Sequence, residues 1–121
     1  MLVEFHGVMQ ERGVTTHRRW FQDEGMELIV WFGAKNNPEG YQICYRGEDQ
    51  RERALTWRAG QGFTHSRVDA GDSRPDKNLT PILVRDGAVP WTRVRAEFSE
   101  RAAELDPVIR DWVLETFVAQ N

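Results

Sequence analysis

Alternating apolar and polar positions dominate the first two thirds of the chain and predict β-strands. The segment YQICYR at 41–46 alternates apolar with more polar residues, the period of two that is typical of a half-buried strand. MELIVWF at 26–32 is rich in β-branched and aromatic residues and is the strongest strand candidate. Segments dense in Gly, Asn, Pro and Asp, at 33–40 and 70–78, predict loops. The predicted strands span 16–23, 26–32, 41–46, 51–58, 63–69 and 80–87.

The spacing of apolar residues becomes helical after about residue 88. Pro90 is placed to begin a first helix. Its apolar residues recur at intervals of three and four: Trp91, Val94, Phe98, Ala102 and Leu105. Asp106 as N-cap and Pro107 at the first helical position predict the start of a second helix. The apolar stripe of that helix comprises Ile109, Trp112, Val113, Thr116 and Phe117.

These elements predict an α+β fold. Short connections favour pairing of consecutive strands, so we expect an antiparallel five- to six-stranded meander sheet with a C-terminal helical hairpin packed on one face. The 121 residues predict a single domain over 1–121, with the sheet at about 14–87 and the helices at about 90–119. The N-terminal dozen residues fit either a first strand or a short helix.

The sheet face opposite the helices is unusually apolar for a surface in water. We predict that one face turns toward the helices with Leu28, Val30, Phe32, Tyr41, Ile43, Tyr45, Leu55 and Trp57. The other face then carries Glu27, Ile29, Trp31, Gln42, Cys44, Arg46, Thr56 and Arg58, and the strand at 63–69 could add either of its two sides. Three interpretations follow: a curled sheet that buries both faces, a subunit interface, or the wall of a ligand pocket.

Composition and charge narrow the classes of function. The net charge of −3 argues against a dedicated nucleic-acid binder. The start of the chain carries charges and no long apolar run, so we expect neither a signal peptide nor a membrane span. One cysteine, Cys44, permits no intrachain disulfide and favours a reducing, cytoplasmic location.

The segment GFTHSRVDAGD at 62–72 groups a histidine with acids but does not predict a metal site. On a strand, His65 and Asp69 lie about 13 Å apart, too far to bind one ion. Asp69 and Asp72 fit turn formers better. We expect no metal and no cofactor.

Two other chemical hypotheses are weak. Cys44 lies in the middle of a predicted strand, where a lone cysteine is typically a small buried hydrophobe and not a nucleophile. AGQGFTH at 59–65 contains a G-x-G, but the segment lies between two strands and fits a hairpin turn better than a phosphate loop.

Arginine lies within two residues of tryptophan in three places, at 18–20, 56–58 and 91–93. Such pairs on a sheet could stack bases and hold phosphates, as in single-strand binders. Neighbours on a strand face opposite ways, however, so buried tryptophan beside solvated arginine is the simpler interpretation.

The leading functional hypothesis is a small cytoplasmic interaction module that forms a homodimer through its second sheet face. The first alternative is a small-molecule binder or enzyme in which Arg46 or Arg58 holds a small anionic ligand. That pocket would comprise Trp31, Cys44, Arg46, Thr56, Arg58 and His65. The second alternative is a single-stranded nucleic-acid binder. Whether the protein is an enzyme stays open at this level.

Overall fold

A computed structural model describes residues 1–5, 17–47, 50–69, 82–85 and 89–118. The predicted loop at 70–78, including Asp72, and most of the N-terminal dozen residues lie outside these ranges.

The described residues form an antiparallel meander followed by two helices, which confirms the predicted α+β fold. The strands are β1 (Val3–Phe5), β2 (His17–Gln22), β3 (Met26–Phe32), β4 (Pro38–Arg46), β5 (Glu52–Arg58), β6 (Gly62–Asp69) and β7 (Ile82–Arg85). The helices are α1 (Trp91–Arg101) and α2 (Pro107–Val118). Each strand pairs with the next along the chain, in the order β1 to β7. The six predicted strands are all present, and the short β1 adds a seventh at the edge.

The connection between β3 and β4 is shorter than the predicted loop at 33–40. A 3₁₀ turn at Ala34–Asn36 reverses the chain, and β4 then begins at Pro38. The pairing shifts by a bulge at Trp31 and Phe32, and Phe32 pairs with Pro38. Proline is compatible with the first position of a strand, so it does not exclude this segment from the sheet.

Asp23 organises the turn between β2 and β3. Its carboxylate accepts hydrogen bonds from the backbone N–H groups of Gly25 and Met26, each at 2.8 Å. It also accepts from Arg101 at the end of α1, at 2.9 Å, and lies 3.3 Å from the α-ammonium group of Met1. Burial alone would raise the pKa of Asp23, but these hydrogen bonds together lower it. The turn is thereby fastened to the C-terminal end of α1.

Both helices pack on one face of the sheet, here called the inner face, and the opposite face is called the outer face. The side chains predicted to turn toward the helices do so, and Leu28, Val30, Tyr41, Ile43 and Leu55 are fully buried. The core formed by the inner face and the helices consists of Leu2, Phe21, Met26, Leu28, Val30, Phe32, Tyr41, Ile43, Tyr45, Leu55, Val94, Phe98, Ala102, Leu105, Ile109, Val113 and Phe117.

The helix boundaries follow the predicted signals. Pro90 precedes α1, and Pro107 is the first residue of α2. The carboxylate of Asp106 accepts a hydrogen bond from the backbone N–H of Val108 at 3.0 Å, as an N-cap does. Leu105 lies in the turn after α1 yet remains buried, so the apolar stripe continues past the end of the helix.

Candidate functional site

Strand register sorts the side chains of the outer face into rows that run across the sheet. One row near the β3–β4 turn is called the basic row and holds Arg18, Trp31, Gly40 and Arg58. The next, called the middle row, holds Phe5, Trp20, Ile29, Gln42, Thr56 and Thr64. A third holds Val3, Gln22, Glu27, Cys44, Ala54 and Ser66, and the last pairs Arg46 with Glu52.

An apolar strip crosses the first three strands of the outer face. It consists of Val3, Phe5, Trp20, Ile29 and Trp31. The rings of Phe5 and Trp20 meet edge to face with centroids 6.3 Å apart. Val3 is 65% exposed and Phe5 is 49% exposed, whereas Trp20, Ile29 and Trp31 are half-buried. Among the described elements, neither α1 nor α2 lies on this strip, and its Val3 and Phe5 side chains face solvent.

Gly40 allows the basic row to become one connected surface. The guanidinium of Arg58 on β5 lies 4.6 Å from the centre of the Trp31 ring on β3, so it reaches over the intervening strand. A Cβ at Gly40 would lie 2.7 Å from the carbonyl oxygen of Trp57 and 3.4 Å from the Trp31 ring. The absence of a side chain therefore lets arginine and indole meet across β4 in a cation–π contact.

Two carboxylates mark the opposite end of the outer face. Burial, followed by repulsion from Glu52, raises the pKa of Glu27. The nearby indole of Trp20 partly offsets this increase in the pKa of Glu27. Within the described residues, the Trp20 Nε1 makes no hydrogen bond of normal geometry. Glu27 and Glu52, together called the acidic end, line a cavity of about 150 Å³ with Cys44, Arg46 and residues of the β2–β3 turn.

Cys44 is not an activated nucleophile. Burial, followed by the charges of Glu27 and Glu52, raises the pKa of its thiol to about 12. A thiol with so high a pKa is almost fully protonated at neutral pH. This agrees with the interpretation of Cys44 as a small hydrophobe within a strand.

Five of the six residues predicted to line a pocket do lie on the outer face, but they fall into separate groups and not one site, because Cys44 and Arg46 line the cavity at the acidic end. Trp31 and Arg58 belong to the basic row, and Thr56 to the middle row. Arg46 lies at the far end of β4, six residues from Gly40, which corresponds to about 20 Å along a strand. Arg46 also donates to the Gln50 carbonyl at 3.1 Å. Arg46 and Arg58 are therefore too far apart to hold one small anion together.

His65 lies on the inner face, away from the other five. It pairs with Leu55 in the register, and it is only 8% exposed. Its Nε2 lies 2.5 Å from the Tyr45 hydroxyl, and the two rings stack at 5.9 Å. The guanidinium of Arg93 lies 6.0 Å from the centre of the Tyr45 ring. His65 is thus enclosed between the sheet and the helices.

The pattern of the sequence did not indicate a second cavity, which lies beside the start of α2. It measures about 180 Å³ and is lined by Arg19, Phe32, Pro38, Asp106, Val108, Ile109 and Trp112. Arg19 is already bound to Glu4 through Nε and Nη2, at 2.9 and 2.7 Å. Tertiary packing between residues distant in sequence creates this cavity, so no local motif could have revealed it.

Within the ranges that the structure describes, no three His, Cys, Asp or Glu side chains are arranged to hold a metal ion. No helix in those ranges is both long and apolar enough to cross a bilayer. Comparison with protein-family models, with curated proteins and with solved structures gives no match to this chain. The outer face, with its apolar strip, basic row and acidic end, is therefore the strongest candidate for a functional surface.

Proposed function

We propose that the protein is an interaction module that forms a homodimer through the outer face of its sheet. The observation that carries this proposal is the apolar strip on a face that neither helix covers. Antiparallel sheets that face water usually present polar residues, and exposed apolar patches rimmed by charge commonly mark interfaces. Phe5 at 49% exposure and Val3 at 65% are costly to leave in solvent.

The outer face is close in size to a standard protein interface. Its seven strands have three to nine residues and 44 in all, and at about 4.8 Å between strands and 3.3 Å per residue they span a plane of roughly 700 Å². Stable interfaces bury about 800 Å² of accessible surface on each partner. Face-to-face packing of two such sheets would resemble a β-sandwich, with the sheets about 10 Å apart.

The test compares charged substitutions inside and outside the apolar strip. Ile29→Glu at its centre and Phe5→Glu at its exposed edge should each shift the protein from dimer to monomer, measured by size-exclusion chromatography with light scattering. Thr92→Glu is the matched control, because Thr92 is exposed on α1, on the helix side of the sheet and away from the outer face. Circular dichroism verifies that each variant is folded. A dimer that survives both strip variants would refute this interface.

Single-stranded nucleic-acid binding is a second candidate, supported by the basic row. Trp31 offers a ring for base stacking, and Arg18 and Arg58 flank it in register. Fluorescence anisotropy with a labelled oligothymidine strand tests this function at low and physiological salt. Binding that weakens steeply with salt and is lost in Arg58→Ala would support it. An absence of binding at low salt would exclude it.

A further inference from the structure

Charge on the outer face is distributed unevenly along the strands. The basic row places Arg18 and Arg58 at one end, and the acidic end places Glu27 and Glu52 at the other. Arg58 and Glu52 are six residues apart on β5, which corresponds to about 20 Å. Both side chains are exposed, so each is available to a partner.

Among the described residues, Arg46 is the basic residue that lies directly opposite a carboxylate of the acidic end on a neighbouring strand. It lies opposite Glu52, but its guanidinium donates to the Gln50 carbonyl in the β4–β5 turn. The acidic end therefore retains negative charge that a cation from outside could offset.

Two symmetric arrangements can bring identical sheets together face to face. Both use a twofold axis that lies in the interface plane, because the two faces must point in opposite directions. An axis parallel to the strands leaves each basic row near the basic row of the other copy. An axis perpendicular to the strands reverses the strand direction and brings each basic row over the opposite acidic end.

We propose that two copies pack through their outer faces about a twofold axis perpendicular to the strands, so that Arg58 of each copy meets Glu52 of the other. This orientation rests on the proposed function, since it requires the dimer. It is favoured because it pairs opposite charges twice, whereas the parallel axis places like charges together. The same axis sets each strand on its own counterpart, so Val3 of each copy lies over Phe5 of the other, and Ile29 lies over Glu27.

Reciprocal charge reversal tests the orientation. Arg58→Glu and Glu52→Arg should each raise the dimer dissociation constant by about tenfold or more, because symmetry converts two attractive contacts into two repulsive ones. The double variant, which carries both Arg58→Glu and Glu52→Arg, should have a dimer dissociation constant within a few-fold of that of the wild type. Sedimentation velocity over a concentration series measures the constant.

Two further variants separate specific from general effects. Glu100→Arg makes the same charge change as Glu52→Arg at an exposed position on α1, and it should leave the constant unchanged. Arg58→Gln removes the charge without reversing it and should have an intermediate effect. Thermal unfolding verifies that Glu52→Arg, which faces Arg46, remains folded.

The outcomes distinguish the orientation from the dimer itself. A wild-type chain that stays monomeric overturns both. A wild-type dimer in which the double variant is no tighter than either single variant overturns the orientation and leaves the dimer standing. Rescue in the double variant establishes the perpendicular axis.

Discussion

Thr116→Val should destabilise the protein more than Tyr41→Phe, although the two side chains share one hydrogen bond. The Thr116 hydroxyl donates to the Val113 carbonyl at 2.6 Å, so its oxygen accepts from the Tyr41 hydroxyl at 2.6 Å. Tyr41 is fully buried, and burial raises its pKa. This contact joins the centre of β4 to the last turn of α2.

The magnitudes follow from what each variant leaves behind. Valine keeps the shape of threonine but leaves the buried Tyr41 hydroxyl without its acceptor, a cost of about 1–3 kcal/mol. Phenylalanine removes the hydroxyl itself, while Thr116 keeps its bond to Val113, so the cost is about 0.5–1.5 kcal/mol. The double variant should be close to Tyr41→Phe alone, because no hydroxyl then remains to be orphaned.

Urea unfolding followed by tryptophan fluorescence measures these differences in the free energy of unfolding. Protein concentration is held constant, because dimerisation would make stability depend on it. Thr92→Val on the exposed side of α1 controls for the change of residue type within a helix, and threonine and valine have similar helix propensities. Equal costs for the two single variants, or simple addition of their costs in the double variant, would refute the assigned hydrogen-bond direction.

Three further outcomes are expected. Asp23→Asn should cost about 2 kcal/mol at neutral pH. The pKa of Asp23 is lowered in the folded protein, so this contribution to stability is present above about pH 4 and is lost as the pH falls through the folded pKa. The free energies of unfolding of Asp23→Asn and wild type should therefore converge in acid, and the control Glu24→Gln should match the wild type at every pH. Cys44 should react with a thiol reagent at least about a hundredfold more slowly in the folded protein than in the urea-unfolded protein, because a pKa of about 12 leaves little thiolate. Equal rates in the two states would contradict this. Gly40→Ala should lower the melting temperature clearly more than Gly33→Ala. The methyl group at position 40 would lie 2.7 Å from the backbone oxygen of Trp57, whereas the methyl group at position 33 would meet the movable side chain of Glu39. An equal loss in the two variants would count against the assigned packing.

The fold was predictable because its apolar periodicity is strong. Tyr41, Ile43 and Tyr45 alternate with more polar neighbours, and the short turns between β2 and β6 favour the pairing of consecutive strands. The sequence pattern does not predict that β4 begins at Pro38, because proline and asparagine are typical of loops. A bulge in β3 allows the sheet to extend into this segment.

The candidate site was predictable only in part. Periodicity placed Trp31, Cys44 and Arg58 on the outer face, but their distances depend on register, which a strand pattern does not supply. His65 was placed with them, although the pattern left either side of its strand open to the outer face. The turn geometry of β5–β6 sets Phe63 opposite Trp57, so His65 falls opposite Leu55 and is enclosed. The apolar match of Phe63 with Trp57 was the signal that could have shown this.

The contact between Arg58 and Trp31 across Gly40 lay beyond sequence reasoning altogether. It joins residues 27 positions apart through a strand between them. Only the register of β3, β4 and β5 shows that Gly40 lies between the two side chains and leaves room for their contact.

Sedimentation equilibrium of the unmodified chain across the micromolar range tests the central claim most directly. A homodimer built on the outer face predicts a species of about twice 14.1 kDa that dissociates on dilution. A single 14.1 kDa species at every concentration would contradict the account and leave the apolar strip without its proposed partner.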